Sequence, residues 1–332
     1  MTDRNAIRWD GAPGHYEVWY VSLTDRRSGA GAWVRFTMRA PQHGEPECSL
    51  WFMAMTPSGE RVARKRTLPI AALRASDAPF RLEIGDAELS DRGSAGQIDD
   101  VRWELRWAPG TVSGDIVHPL LERARIARTM LVVPHPDLAI EGTIAWGDTQ
   151  LELSGARGGQ AHLWGAKHAS RWCWLHASDL EGVDGSPRRG DWIEAVSVVT
   201  PRAGREVGPN TPVTGVLLGE PFDAISPLRV LRAHAEIGLE RYVLETRNRS
   251  RRLRVEVSAP RETLVGVTYD DPDGEQAWCY NSEVASLDAW VWDRARGGGG
   301  ARWLLRDTLR APGTAHVEYA QRAPVEGVPV LV

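Results

Sequence analysis

Apolar and polar residues alternate with a period of two along most of this chain, and sustained helical periodicity is scarce. Residues 101–107 show the pattern plainly. Val101, Trp103, Leu105 and Trp107 share one face, while Arg102, Glu104 and Arg106 share the other. Similar strands are predicted at 17–23, 33–38, 49–55, 80–84, 143–146, 150–153, 161–164, 172–176 and 192–199. Glycine, proline and aspartate punctuate them, with turn signals at 29–31, 57–59, 147–148 and 155–159. The same grammar continues from 213 to 319. A helix is predicted at 119–130, where Pro119 suits a first helical position, and one short helical turn at 70–75.

Many short strands separated by Gly and Pro turns indicate an all-β protein of barrel or sandwich type, with few short helices. A chain of 332 residues exceeds one ordinary core. Two β domains are therefore expected, at 1–190 and 191–332. The break is placed by the Gly-rich, charged stretch 181–191.

Composition narrows the functional classes. Hydrophobic residues make up 42% and charged residues 25%, the balance of a globular protein. A net charge of -4 gives no broad attraction to nucleic acid, so no nucleic-acid partner is expected. The basic run 247–254 reads as a solvated hairpin tip, and the glycine run 297–300 as a hairpin loop. Cys48, Cys173 and Cys279 are far apart, which excludes a disulfide framework or a cysteine zinc site. Residues 1–10 are polar and unlike a signal peptide, and no apolar run has the length of a transmembrane segment. The expected compartment is the cytoplasm. Nothing in the sequence fixes an oligomeric state.

No GxSxG elbow, HExxH, P-loop or dinucleotide-binding fingerprint is present. Residues 269–275 read as a turn around Pro272-Asp273-Gly274 rather than a calcium loop.

The chain holds 15 Trp against 4 Phe and 6 Tyr. The densest Trp cluster is 159–179. His162 and Trp164 share one strand face, and Trp172, Trp174 and His176 share one face of the next strand. The loop between them carries Lys167 and His168. If these strands pair as a hairpin, the histidines, tryptophans and lysine surround one small volume. Trp faces stabilise a developing cation, and His or Lys moves a proton. A dry cavity strengthens any hydrogen bond aimed at a polarised carbonyl. Such a set suits protonation, cyclisation, isomerisation or hydration of an apolar substrate, with no cofactor. The alternative for each Trp is a packed core position. His162, His168 and His176 lack a familiar metal spacing, so no metal is expected, and Cys173 points away from the Trp face.

The run Gly159, Gln160, His162, Trp164, Gly165, followed by Trp172-x-Trp174, resembles a signature of the proteins related to carotenoid 1,2-hydratase, tocopherol cyclase and AttH. The lipocalin-like Diels–Alderases of fungal polyketide pathways look like distant relatives. The opening strand Tyr16-Glu17-Val18-Trp19-Tyr20 and the stretch 267–283, ending in Asn281-Ser282-Glu283, are similar to the same family.

The resemblance implies two lipocalin-like β domains with a ligand cavity at their junction, whereas the sequence alone leaves it within or between them. It implies cofactor-free chemistry on an isoprenoid, polyene or polyketide-like molecule. His162, Lys167, His176 and Glu283 are the candidate catalytic residues. Glu17, Tyr20, Trp164, His168, Trp172, Trp174, Tyr280 and Asn281 are the candidate substrate-binding residues. The family's hydratases place an acid near the Trp-x-Trp strand. Here the intervening residue is Cys173, and Asp179 is the nearest acid downstream. A non-catalytic carrier or sensor of a lipophilic ligand is the second reading.

Overall fold

The computed structural model describes residues 4–120, 129–202, 204–295 and 302–332. The protein is almost entirely β, built from two large antiparallel sheets that follow one another in the chain.

The first sheet opens with β1 (His15–Asp25), β2 (Ala30–Ala40), β3 (Glu47–Met55) and β4 (Arg61–Pro69). The short strands β5 (Leu73–Asp77), β6 (Phe80–Ile84), β7 (Ala87–Ser90) and β8 (Gly93–Ile98) form a meander leading to β9 (Val101–Trp107). It is completed by β10 (Gly114–Asp115) and the long strands β11 (Thr129–Trp146) and β12 (Thr149–Gly165). The order is β4-β3-β2-β1-β12-β11-β9-β8-β7-β6-β5, with β10 paired to β11. The sheet curls until Phe52 on β3 stacks near Trp103 on β9, with ring centroids 6.1 Å apart.

The second sheet contains β13 (Arg171–Ala177), β14 (Glu181–Gly182), β15 (Trp192–Arg202), β16 (Arg205–Asn210), β17 (Val213–Leu217) and β18 (Glu220–Asp223). After the single helical turn α1 (Pro227–Val230) come β19 (His234–Glu236), β20 (Arg241–Arg247) and β21 (Arg251–Ser258). The last strands are β22 (Val265–Asp270), β23 (Gln276–Arg294) and β24 (Trp303–Gln321). The main order is β18-β17-β15-β13-β24-β23-β21-β20-β19.

The period-two pattern decides what each face touches. On β1, Trp19, Val21 and Leu23 enter the core of the first sheet. Tyr16, Val18 and Tyr20 take the opposite face and meet the second sheet. On β13, Cys173, Leu175 and Ala177 enter the second core, while Trp172, Trp174 and His176 face the first sheet. The expected orientation of Cys173 is therefore the observed one.

Between the sheets the backbones come close. A Cβ on Gly31 would lie 2.6 Å from the Cβ and carbonyl oxygen of Glu283, so only glycine fits there.

The sheets switch between Gly165 and Arg171, and residue 190, where the break was expected, follows β13 and β14 of the second sheet. The connection is too short to read as a linker. β12 and β13 are not a hairpin: β12 lies between β1 and β11, and β13 lies between β15 and β24. The short turn expected at 70–75 is a 3-10 turn over Ile70–Ala72. Most of the helix expected at 119–130, and the glycine run 297–300, lie outside the described residues. Among the described residues, no helix is long and apolar enough to cross a membrane.

Candidate functional site

A cavity of about 1010 Å³ lies between the two sheets. Its lining is mainly apolar and aromatic, as ligand sites are. The first sheet supplies one wall through the outward residues of β1 to β4. Strand register places Tyr20, Arg35, Trp51 and Lys65 directly opposite one another, one on each of four neighbouring strands. The neighbouring row is Val18, Thr37 and Ser49. The second sheet supplies Trp172 and Trp174 from β13, Val196 and Val198 from β15, and Tyr269 from β22. Tyr20 meets the Trp174 ring edge-on at 5.6 Å.

A buried ion pair crosses the wall. Arg35 donates to Glu318 at 3.0 Å and to the Asn281 side-chain oxygen at 3.0 Å. Glu318 also accepts the Trp172 indole N–H at 2.6 Å, which fixes that ring. The guanidinium lies over Trp33, 4.2 Å from its centroid, and 5.4 Å from the Tyr20 and Tyr269 centroids. Burial pushes the Tyr20 phenol well above its ordinary pKa, with the Glu194 charge adding to the rise, so it stays a neutral donor. Among the described residues its hydroxyl has no hydrogen-bond partner.

The best-formed acid–base pair is His168 with Asp271. His168 lines the cavity. Its Nδ1 lies 2.6 Å from Oδ1 of Asp271, whose carboxylate is fully buried. The His168 backbone N–H donates to the same oxygen at 3.0 Å. Arg322 holds the other carboxylate oxygen at 2.7 Å. The imidazole is stacked with Tyr16, Trp172 and Tyr269, at centroid distances of 4.3, 5.3 and 5.6 Å. Ring position and tautomer are thus both set, with Nδ1–H donating to the carboxylate. Nε2 has no partner among the described residues. Burial pushes the Asp271 pKa up, but the His168 hydrogen bond and charge, with Arg322, hold it below its ordinary value.

Lys167 stands at the rim. Its ammonium lies 2.6 Å from Asp273 and 2.9 Å from Glu275. Burial draws its pKa down, yet these two carboxylates outweigh that and raise it. It is a paired rim cation rather than an electrophile in the cavity.

The remaining predicted residues do not converge on this cavity. His162 and Trp164 alternate onto the inner face of β12 and point into the first barrel. His162 stacks on Trp19 at 4.7 Å and tilts against Trp164 at 4.8 Å. Its Nδ1 meets the Arg4 carbonyl at 2.7 Å, and its Nε2 meets Glu17 at 2.8 Å. Glu17 also accepts the backbone N–H groups of Arg8 and Trp9, at 2.8 and 3.1 Å. Glu17, His162 and Trp164 therefore hold the N-terminal segment against the barrel. Tyr280 is buried in the second core, where its hydroxyl accepts the Val325 N–H at 2.6 Å. Asn281 sits behind Arg35.

His176 and Glu283 lie at the seam between the sheets, apart from the cavity lining. His176 donates from Nε2 to the Pro136 carbonyl at 2.8 Å and meets the Nδ1 of His316 at 3.0 Å. Glu283 lies 3.7 Å from the same His316 nitrogen. Burial pushes the His176 pKa down to about 4 and the Glu283 pKa up to about 8.

The sequence reading missed two acids. Asp271 looked like part of a turn. Glu194, next to β13 on β15, accepts the Trp174 indole N–H at 2.5 Å. Burial pushes its pKa up to about 8, against a smaller lowering by Trp174.

A pH effect on stability follows. The unfolded chain loses the Glu194 proton at its ordinary 4.5, whereas the folded protein keeps it to about 8. Between these values the folded state binds more protons, so stability falls as pH rises. Glu194→Gln is expected to raise the thermal midpoint above wild type by an amount that grows from pH 4.5 to pH 8. Melting curves across that range check this. A constant offset would mean that the folded carboxyl is already ionised.

Comparisons with known proteins agree with this architecture. No protein-family model matches the chain. The proteins Rv0493c and MT0513 of two Mycobacterium tuberculosis strains, both described as uncharacterized, are 32% identical to it. Each alignment spans 97% of this chain and 92% of the relative. Among solved structures, a Nitrosomonas europaea protein described as an AttH superposes with a TM-score of 0.57 at 10% identity, covering 93% of both chains. CghA, also solved with Sch210972, gives 0.56 at 9% identity, covering 93% of this chain and 88% of CghA. Kievitone hydratase from Nectria haematococca gives 0.52 at 10% identity, covering 97% of this chain and 95% of the hydratase. At these identities the structures establish a shared fold, the AttH-like, lipocalin-like pair of β units that the sequence motifs suggested.

Proposed function

Starting from a chain that belongs to the family of the mycobacterial proteins Rv0493c and MT0513, we propose that it binds an apolar small molecule between its two sheets. There it carries out cofactor-free proton-transfer chemistry: cyclisation, isomerisation or hydration. The observation carrying this reading is the His168–Asp271 pair in an aromatic cavity, with Nδ1 fixed at 2.6 Å and Nε2 unpartnered among the described residues.

Such a pair moves one proton in either direction. Neutral His168 takes a proton at Nε2, and buried Asp271 stabilises the resulting imidazolium. The imidazolium then returns the proton to a different atom of the same substrate, which is an isomerisation. In a hydration the imidazolium protonates one alkene carbon, water adds to the other, and the water's proton returns to Nε2. The faces of Trp172 and Trp174 stabilise the intervening cation. Tyr20 supplies a neutral hydrogen-bond donor for a substrate oxygen. CghA, solved with Sch210972 bound, and kievitone hydratase share the fold. Both support this class of reading.

The experiment is a titration of intrinsic Trp fluorescence with polyenes, isoprenoids and polyketide-like lipophiles. Saturable quenching is expected. Trp172→Phe, which removes an indole face and its hydrogen bond to Glu318, should weaken the responding ligand by about tenfold. Absence of quenching across the panel would remove the cavity reading. Binding without turnover would favour a carrier or sensor.

A further inference from the structure

We propose that the ligand is an amphipathic acid, an apolar body bearing one carboxylate or enolate group, and that Lys65 receives its charge. The inference rests on the cavity reading above and specifies the substrate class.

The row Tyr20, Arg35, Trp51 and Lys65 alternates ring and cation across four strands. Its two cations differ in one decisive respect. Arg35 is buried and neutralised by Glu318 at 3.0 Å. The other cations around the cavity mostly have carboxylate partners too. Arg39 has Glu47 at 2.8 Å, Lys167 has Asp273 and Glu275, and Arg322 has Asp271. Arg202 is exposed to solvent. Lys65 is half-buried, and among the described residues no carboxylate lies within ion-pair distance of it. Its ammonium stands 4.0 Å from the centroid of the Trp51 ring.

The nearby acids are already engaged: Glu47 with Arg39, and Asp270 with the Gln276 amide at 2.8 Å. Burial draws the Lys65 pKa down; Asp270 and Glu47 oppose this from a distance, and Arg39 adds to it. An ammonium withdrawn from water without a counter-ion is unfavourable, and a ligand anion would restore a charge-assisted hydrogen bond.

The position also suits an amphipathic ligand. Lys65 lies on β4, the edge strand of the first sheet. Trp51 meets Tyr269 edge-on at 5.9 Å, and Tyr269 stacks with His168 at 5.6 Å. An acid held at Lys65 can lay its apolar body along this aromatic wall toward the His168 ring.

The test compares cis-parinaric acid with its methyl ester, read by energy transfer from Trp to the polyene. Wild type, Lys65→Met and Lys65→Arg are used, with thermal midpoints confirming folding. At low salt the acid is expected to bind wild type about tenfold more tightly than the ester. The gap should close in Lys65→Met, persist in Lys65→Arg and shrink as salt rises. Ester affinity should be the same in all three proteins. Equal affinity of wild type for acid and ester overturns this inference while the cavity reading stands. A gap that survives in folded Lys65→Met overturns the assignment to Lys65. Failure of both probes to bind overturns the cavity reading and this inference with it. If Lys65→Met does not fold, the wild-type comparison and its salt dependence still decide the charge preference.

Discussion

His168→Gln is expected to lower turnover of a substrate bound in the cavity by about 10²–10⁴-fold, with a much smaller change in affinity. Gln keeps a polar side chain among the rings of Tyr16, Trp172 and Tyr269, so the cavity wall survives. It cannot exchange a proton at the position of Nε2. Asp271→Asn is expected to lose at least about 10²-fold by another route. The amide no longer fixes a protonated Nδ1, nor does it stabilise the imidazolium. Arg322, 2.7 Å from the carboxylate, would lose its counter-charge as well. Asp271 also contributes to stability, because its folded pKa lies below the ordinary value. That contribution is present above the ordinary carboxylate range and disappears as pH falls through the folded pKa. Turnover at saturating substrate, measured beside the apparent Kd, separates the two effects. Full activity in His168→Gln would remove the dyad from the mechanism.

His162→Ala should act on the fold instead. It is expected to cost about 2–5 kcal/mol in chemical denaturation, the usual penalty for deleting a large, fully buried and hydrogen-bonded side chain. His162 and Glu17 are both fully buried. Its two ring nitrogens meet the Arg4 carbonyl and the Glu17 carboxylate, at 2.7 and 2.8 Å. Its loss leaves Glu17 without its closest side-chain partner and cuts a tie to the N-terminal segment. Burial pushes the Glu17 pKa up, but the hydrogen bonds of His15 and His162 hold it below its ordinary value. Its stabilising contribution is thus lost as pH falls through that lowered value. Ligand affinity in the folded variant should stay close to wild type, because neither side chain lines the cavity. Unchanged stability with abolished turnover would move the active centre into the first barrel.

The alternation along single strands was readable from the sequence. It correctly turned Cys173 away from Trp172 and Trp174, and it gave the all-β class. Partnership between strands was not readable. His162 and Trp172 are close in sequence, but they sit on strands of different sheets, and His162 faces inward. A hairpin was the simplest reading of Gly165 to Arg171, and the switch of sheets there leaves no compositional mark. The second acid–base partner was hidden for a similar reason. Asp271 precedes a Pro-Asp-Gly turn that the sequence did reveal, in which Gly274 has a positive φ of 88°. Its contact with His168 spans 103 residues, so no local pattern announces it. Lys65 is one base among several on β4. Only the cross-strand register places it beside Trp51.

The most direct test is a crystal structure of the protein with the lipophile that quenches its fluorescence most strongly. The account predicts ligand density between the sheets, against Trp172, Trp174 and Tyr20 and within reach of His168 Nε2. Density inside the first barrel, beside His162 and Glu17, would contradict it.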